Sequence, residues 1–252
     1  MILRFLLLLI CCCNYVFCQS VQNSFLIQDS PIYSVDNPAF KYVEGKKLHV
    51  QLLYENRFNK KTLSIKSLGI GSSRNTFSWN SVFLHTGNSA YSESLLYLNT
   101  SIQLNSKLRL GLGVNVENIR SRFKVINQFI VYPTLGVAVK VREDNTFFSS
   151  FKFQMNEVHN ELFHVASYEH YFQPDFSYRL QSNWSFKDEP EVVLVLKYRS
   201  AKKQNFYLGL SSSSSPFSLG YDFKWKKVRF VLSFWYHLRL GNSNQLGTSV
   251  SL

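Results

Sequence analysis

Beyond residue 46, apolar and polar positions alternate with a period of two along most of the chain. The clearest stretch is Leu108–Ile119. There Leu108, Leu110, Leu112, Val114 and Val116 alternate with Arg109, Gly111, Gly113, Asn115 and Glu117. Such alternation predicts a strand with one apolar face. Folding Tyr91–Leu104 back onto it around Asn105-Ser106-Lys107 sets Ile102 against Leu110, Leu98 against Val114 and Leu96 against Val116. The other face then pairs Gln103 with Arg109, Ser101 with Gly111, Asn99 with Gly113 and Tyr97 with Asn115. One register satisfies both faces, and a slip of one residue would invert every side chain.

Two more hairpins follow from the same pattern. Phe129–Val141 and Thr146–Asn156 turn around Glu143-Asp144-Asn145, with Val141 expected opposite Phe147, Val139 opposite Ser149 and Val137 opposite Phe151. A third turns at Lys226-Lys227, pairing Trp225 with Val228, Phe223 with Phe230, Tyr221 with Leu232 and Leu219 with Phe234, and setting Lys224 beside Arg229. Glu191–Arg199 and Asn205–Ser211 alternate as clearly. Weaker strands are expected at Lys47–Glu55, Thr62–Ile70, Asn75–His85, Glu161–His170 and Phe172–Gln181, and a last one over Leu246–Leu252. Many strands, short connections and no long helix predict a single all-β domain.

A soluble sandwich and a membrane barrel share this alternation; they differ in whether the apolar face meets a second sheet or lipid. Three features favour the barrel. Gly111, Gly113, Gly136, Gly209 and Gly220 fall on the polar face, as a crowded lumen needs. Tyr54, Trp79, Trp225 and Tyr236 lie toward the ends of apolar faces, as interfacial girdles do. The chain also ends within a strand. The tight turns fall on one side and the longer connections on the other if there are about fourteen strands, with twelve as the alternative. The expected fold is therefore one antiparallel transmembrane β-barrel over 46–252, with a secreted β-sandwich as the competing architecture.

The first residues set the compartment. MILRFLLLLICCCNYVFC carries one cation, Arg4, ahead of a short apolar run, which predicts a secretory signal peptide over 1–18. All four cysteines lie within it. Its removal would leave no thiol for a disulfide, a Cys-ligated metal or a Cys nucleophile. The segment 19–45 has no strong strand of its own and contains Asn37-Pro38-Ala39; it is expected to lead into the barrel or plug its lumen.

Charge changes the picture at one place. The 28 Lys and Arg outnumber the 16 Asp and Glu, and many of the cations fall on the polar face. The lumen-facing candidates are Tyr97, Arg109, Asn115, Glu117, Lys140, Lys152, Asp222, Lys224 and Arg229. A lumen of this balance would favour anions; the alternative is that these side chains fill the barrel and pair internally with carboxylates and Tyr97. Nucleic acid is a poor partner for an exported chain. Enzyme signatures are scarce: there is no H-E-x-x-H, no G-x-S-x-G and no Gly-rich phosphate loop. His164 and His170 lie near Glu161 and Glu169 and are weighed as a metal site, with a solvated loop as the commoner reading. A lipid-facing Ser–His pair of the barrel-lipase kind has serines enough but no motif that singles one out. No catalytic residue, cofactor or metal is assigned.

Asn37-Pro38-Ala39-Phe40, the Gly87–Tyr91 connection and Leu240…Leu246-Gly247 resemble outer-membrane barrels of Bacteroidota, the PorV, PorQ and PorP type, which share their architecture with the FadL fatty-acid channel. The resemblance implies a fourteen-stranded barrel in the outer membrane of a Gram-negative bacterium, with the Asn-Pro-Ala segment at or within it. It also implies partnership with outer-membrane lipid and with envelope or secretion proteins. From it follows the first functional expectation, a non-enzymatic binding, anchoring or assembly component linked to type IX secretion or gliding. A FadL-like channel for a hydrophobic or anionic ligand is the second.

Overall fold

In a computed structural model the chain folds as a closed antiparallel barrel of fourteen strands. The structure describes residues 37–39, 48–122, 126–155, 160–185, 190–201 and 203–252. The leader over 1–18 and most of 19–45 lie outside the described residues. The strands are β1 (Leu48–Asn56), β2 (Ile65–Arg74), β3 (Phe77–Gly87), β4 (Tyr91–Gln103), β5 (Leu108–Ser121), β6 (Ile126–Arg142) and β7 (Asn145–Met155). They continue as β8 (Asn160–Gln173), β9 (Phe176–Ser185), β10 (Glu191–Ala201), β11 (Gln204–Ser211), β12 (Phe217–Trp225), β13 (Val228–His237) and β14 (Gly241–Ser251). Each strand pairs only with its neighbours in sequence, and β1 pairs with β14 to close the ring. Closure removes both sheet edges, so no row of backbone amides is left for another chain.

The tight turns after β2, β4, β6, β8, β10 and β12 share one end of the barrel, here the turn end. Two of them need a residue at positive φ, supplied by Asn75 (φ 51°) and Lys226 (φ 54°). Asparagine takes this conformation readily; a lysine does so because the strands on either side impose it. The opposite, loop end holds the longer connections. Between β1 and β2 the chain makes two single 3-10 turns, Arg57–Asn59 and Lys61–Leu63. The Phe58 amide donates to Ser243 Oγ at 3.0 Å, and the Phe58 ring meets His237 edge-on at 5.3 Å. This connection is thereby tied to the β13–β14 turn across the closing seam.

Parity decides what is inside. Leu112, Phe129, Leu232 and Leu246 face outward at 61%, 63%, 51% and 55% exposure, whereas Val82, Val195, Val231 and Trp235 face inward at 2% or less. A closed barrel that leaves a belt of large apolar side chains exposed is built for hydrocarbon on its outside. Trp79 and Trp225 edge that belt at the turn end, Tyr54 and Tyr236 at the loop end.

The registers expected for the β4–β5 and β12–β13 hairpins are those observed. The β6–β7 register differs by two residues: Val139 lies opposite Phe147, Val137 opposite Ser149 and Leu135 opposite Phe151. A bulge between Lys140 and Arg142 absorbs an extra residue before a tighter turn at Glu143-Asp144. The shift is even, so every side chain keeps its face. Strand boundaries differ as well: β3 starts at Phe77 and not at Asn75, which sits in the turn. Phe172 and Gln173 end β8 rather than begin β9, because Pro174 has no N–H for a ladder and suits a turn. Strand β2 starts at Ile65 and not at Thr62, which lies in the second 3-10 turn. Strand β14 begins at Gly241, five residues ahead of the expected Leu246. Asn242, Ser243, Asn244 and Gln245 have no apolar alternation to reveal it.

Candidate functional site

Every lumen-facing candidate lies on an inward parity position. Tyr97, Arg109, Asn115 and Asp222 are buried, Glu117, Lys140, Lys152 and Arg229 are half-buried, and Lys224 is exposed at the turn-end mouth. The structure gathers them into groups at different heights instead of one site.

The most tightly bonded group joins β11, β12 and β13 in the turn half. Asp222 accepts hydrogen bonds from Asn205 Nδ2 at 2.9 and 3.1 Å, from the Tyr207 hydroxyl, and an ion pair from Arg229 Nε at 3.2 Å. Lys197 Nζ stands 5.9 Å over the Tyr207 ring. A buried carboxylate with this many donors is compensated in a way that an isolated one could not be. Asn205 and Tyr207 were not among the candidates, although the parity that turns Phe206 outward turns both of them in. Arg179, fully buried on β9, was missed for the same reason.

Around β3–β5 the turn half holds a second polar group. Arg109 Nη1 donates to Ser78 Oγ and Ser101 Oγ at 3.2 and 3.3 Å, and its Nη2 donates to Gln103 Oε1 at 2.8 Å. Above it Asn99 donates to Asn80 Oδ1 at 3.2 Å, Asn115 bonds Thr134, and Lys152 Nζ lies 5.8 Å over the Tyr97 ring. Lys140 stays apart at the turn end, bonded to Glu143 at 2.6 Å.

Higher up, parts of the lumen wall are apolar, with Ser67, Asn115 and Gln181 between them. Leu53, Ile65, Val82, Leu84, Leu95, Tyr97 and Val231 form one buried cluster contributed by β1–β4 and β13. Val193, Val195 and Tyr207 form another on the far wall. The inward charges divide by height. Glu55, Glu93, Glu117, Glu161 and Glu191 lie toward the loop end, while Arg109, Lys140, Arg179, Lys197, Arg199, Lys224 and Arg229 lie toward the turn end with Glu169 and Asp222 among them. The net cationic lumen expected from the polar face is thus a polarised one.

Asn37-Pro38-Ala39 lies inside the barrel, with Asn37 and Ala39 at 7% and 0% exposure. Asn37 Oδ1 accepts the Ala39 amide at 2.8 Å, a local side-chain turn that proline in the middle favours. Asn37 Nδ2 reaches the backbone carbonyls of the facing residues Ser149 and Val137 at 3.2 and 3.4 Å. Two lumen glycines receive the segment: a β-carbon on Gly111 would overlap Pro38 and Ala39, and one on Gly136 would overlap Asn37 Oδ1. These glycines are small because backbone approaches them closely.

The weighed metal site does not form. His164 and His170 face outward and Glu161 and Glu169 inward, on opposite sides of β8. Ser149 Oγ and His164 Nε2 do meet at 2.9 Å on the outer wall, where His164 stacks on Phe151 at 4.5 Å. Acyl transfer needs a group to orient the histidine and free donors for an oxyanion. The parity of β8 turns Glu161 away from this pair, and strand amides are committed to the ladder.

No protein-family model matches the chain, and no curated protein matches it in sequence. Solved structures match in fold. A monoaromatic hydrocarbon channel, CymD, aligns with a TM-score of 0.62 at 12% identity, over 90% of this chain and 93% of its own. A FadL homologue of Pseudomonas aeruginosa aligns with a TM-score of 0.62 at 9% identity, over 90% and 94%. The toluene transporter TbuX of Ralstonia pickettii aligns with a TM-score of 0.58 at 10% identity, over 88% and 92%. These likenesses carry the barrel architecture. They give the finer resemblance to PorV, PorQ and PorP proteins no support of its own.

Proposed function

We propose that this barrel is an outer-membrane channel for small hydrophobic molecules, with the segment around Asn37-Pro38-Ala39 serving as part of its plug. The observation that carries this reading is the apolar cluster in the lumen. Leu53, Ile65, Val82, Leu84, Leu95 and Val231 point inward, where a channel for hydrated ions would place polar groups. An apolar solute crossing there exchanges water for hydrocarbon contact. The likeness to hydrocarbon channels and a FadL homologue supports the same reading over an anchoring role in type IX secretion. In this reading the signal peptide directs export, the apolar belt sits in the outer membrane of a Gram-negative bacterium, and the chain has no catalytic role.

Lumen-facing Trp235 gives a direct test, since it is buried at 1% exposure beside Ser218 and Ser243. With Trp79, Trp184 and Trp225 replaced by phenylalanine, titrating the detergent-solubilised barrel with toluene, and separately with a long-chain fatty acid, should change Trp235 fluorescence saturably. Val82→Asn with Leu95→Asn should weaken binding by about tenfold, because each places an amide in the apolar stretch. Binding unchanged by these substitutions would overturn the proposed path. An absence of binding, with other envelope proteins co-purifying, would return the anchoring role to first place.

A further inference from the structure

The outer wall carries a feature that transport through the lumen does not use. A groove of about 500 Å³ runs over β14, β1, β2 and β3 on the lipid-facing side. Its apolar body is the cross-strand row Leu52, Leu68 and Phe83, which ends at Thr248, while Leu246 stands opposite Tyr54. At its loop-end margin, Tyr54, Lys66 and His85 stand in one cross-strand row, Tyr54 opposite Lys66 and Lys66 opposite His85. Ser94 continues the row, and its Oγ meets His85 Nδ1 at 2.9 Å, which leaves Nε2 as the nitrogen for a ligand.

Lys66 is the informative residue. Strand parity turns it to the lipid side, one residue inside the loop end of β2 and level with the tyrosine girdle. A lysine facing mid-bilayer hydrocarbon would destabilise the barrel, whereas at the interface its stem can lie on apolar surface while its ammonium reaches headgroups. The groove thus has a cationic, hydrogen-bonding end at headgroup height and an apolar body at acyl-chain height. Its volume falls within the usual range for a small-ligand pocket.

We propose that this groove seats one phosphate-bearing lipid of the loop-side leaflet, with its phosphate between Lys66, His85 and the Tyr54 hydroxyl and an acyl chain crossing the Leu52–Leu68–Phe83 row. The charge of the row selects the phosphate, and the apolar body selects a membrane lipid over free phosphate.

Native mass spectrometry of the full chain, released from micelles supplied with dioleoylphosphatidylglycerol, tests the seat. The barrel should retain one phosphatidylglycerol, and should shed dioleoylglycerol, which lacks the phosphate, at lower collision energy when that is supplied instead. Lys66→Gln should lower phosphatidylglycerol occupancy by about fivefold, roughly what one basic residue contributes at an anionic membrane surface. Lys66→Gln with His85→Gln should lower it further. Lys224→Gln, at the turn-end mouth, should leave it unchanged. Equal occupancy in the wild type and the Lys66 variant overturns the proposal. So does equal retention of dioleoylglycerol, or displacement of the lipid by millimolar inorganic phosphate. Lys66 is exposed, so its variant should assemble even if the His85 variant does not, and heat-modifiable migration on gels verifies assembly.

Discussion

Gly111 lies directly beneath the Pro38–Ala39 peptide, so near that a β-carbon on it would overlap the Ala39 amide nitrogen. Across the β5–β6 ladder Gly136 faces Gly111 and meets Asn37 in the same way. The pair of glycines therefore forms a flat floor for three residues that are far away in sequence. Asn37 fastens the segment to it by its bonds to Ser149 and Val137 carbonyls.

Gly111→Leu should displace this segment without breaking the barrel, because the new side chain points into the lumen and not into the ladder. The measurement is maleimide labelling of an Ala39→Cys reporter, with Cys11, Cys12, Cys13 and Cys18 removed with the leader or replaced by serine. Ala39 is fully buried, so the reporter should label slowly when Gly111 is retained and rapidly when Gly111→Leu is added. Unchanged labelling would mean that the segment is held mainly by residues other than its glycine floor.

Leu112→Arg tests the other side of the same strand. Leu112 is 61% exposed on the outer face near the middle of β5. Placing arginine there should cost about 2–4 kcal/mol in urea unfolding from lipid vesicles if the site meets mid-bilayer hydrocarbon. Gly113→Arg should act differently, by colliding with Asn99 Oδ1 in the lumen, and its cost should not vary with bilayer thickness.

Why these two neighbours behave so differently was legible from sequence. Alternation assigned the face of every residue in β4, β5, β12 and β13, and two hairpin registers with it. It worked because a one-residue slip would move an entire apolar face into the lumen. It was blind to a two-residue shift, which preserves parity, and so the bulge beside Val141 went unseen. It also failed in β14, where Asn242 and Asn244 face outward with no apolar residue between them to mark the strand. The functional groups were harder to read. Parity gave the inward residues one at a time, but height along the barrel depends on how neighbouring strands are staggered. The division of carboxylates from cations, and the meeting of Asp222 with Tyr207 and Arg229, emerge only after closure.

Asp222→Ala should be among the most destabilising single changes, at about 3–5 kcal/mol, because it leaves Arg229 half-buried beside a lost counterion and strips Asn205 and Tyr207 of their acceptor. Combining it with Arg229→Met should restore a part of that loss. The check is a double-mutant cycle on denaturant midpoints. Simple additivity of the two changes would mean that the ion pair at 3.2 Å contributes little to folding.

The polarised lumen makes a prediction about ions that the overall charge of +12 does not. In a barrel lacking residues 19–39, the proposed plug, an ion entering from the loop end first meets Glu93 and Glu117, with Glu55 already paired to Arg57, and only then the cations of the turn half. Carboxylates at a mouth concentrate cations locally and repel anions. Glu93→Gln with Glu117→Gln should therefore shift the reversal potential under a salt gradient toward anion preference. Arg109→Gln with Lys140→Gln should shift it the opposite way. Planar-bilayer recordings under a tenfold KCl gradient read both shifts directly. Equal and opposite shifts, unchanged when the salt gradient is reversed, would mean that the selectivity is set by net charge alone and that the separation by height has no electrical consequence.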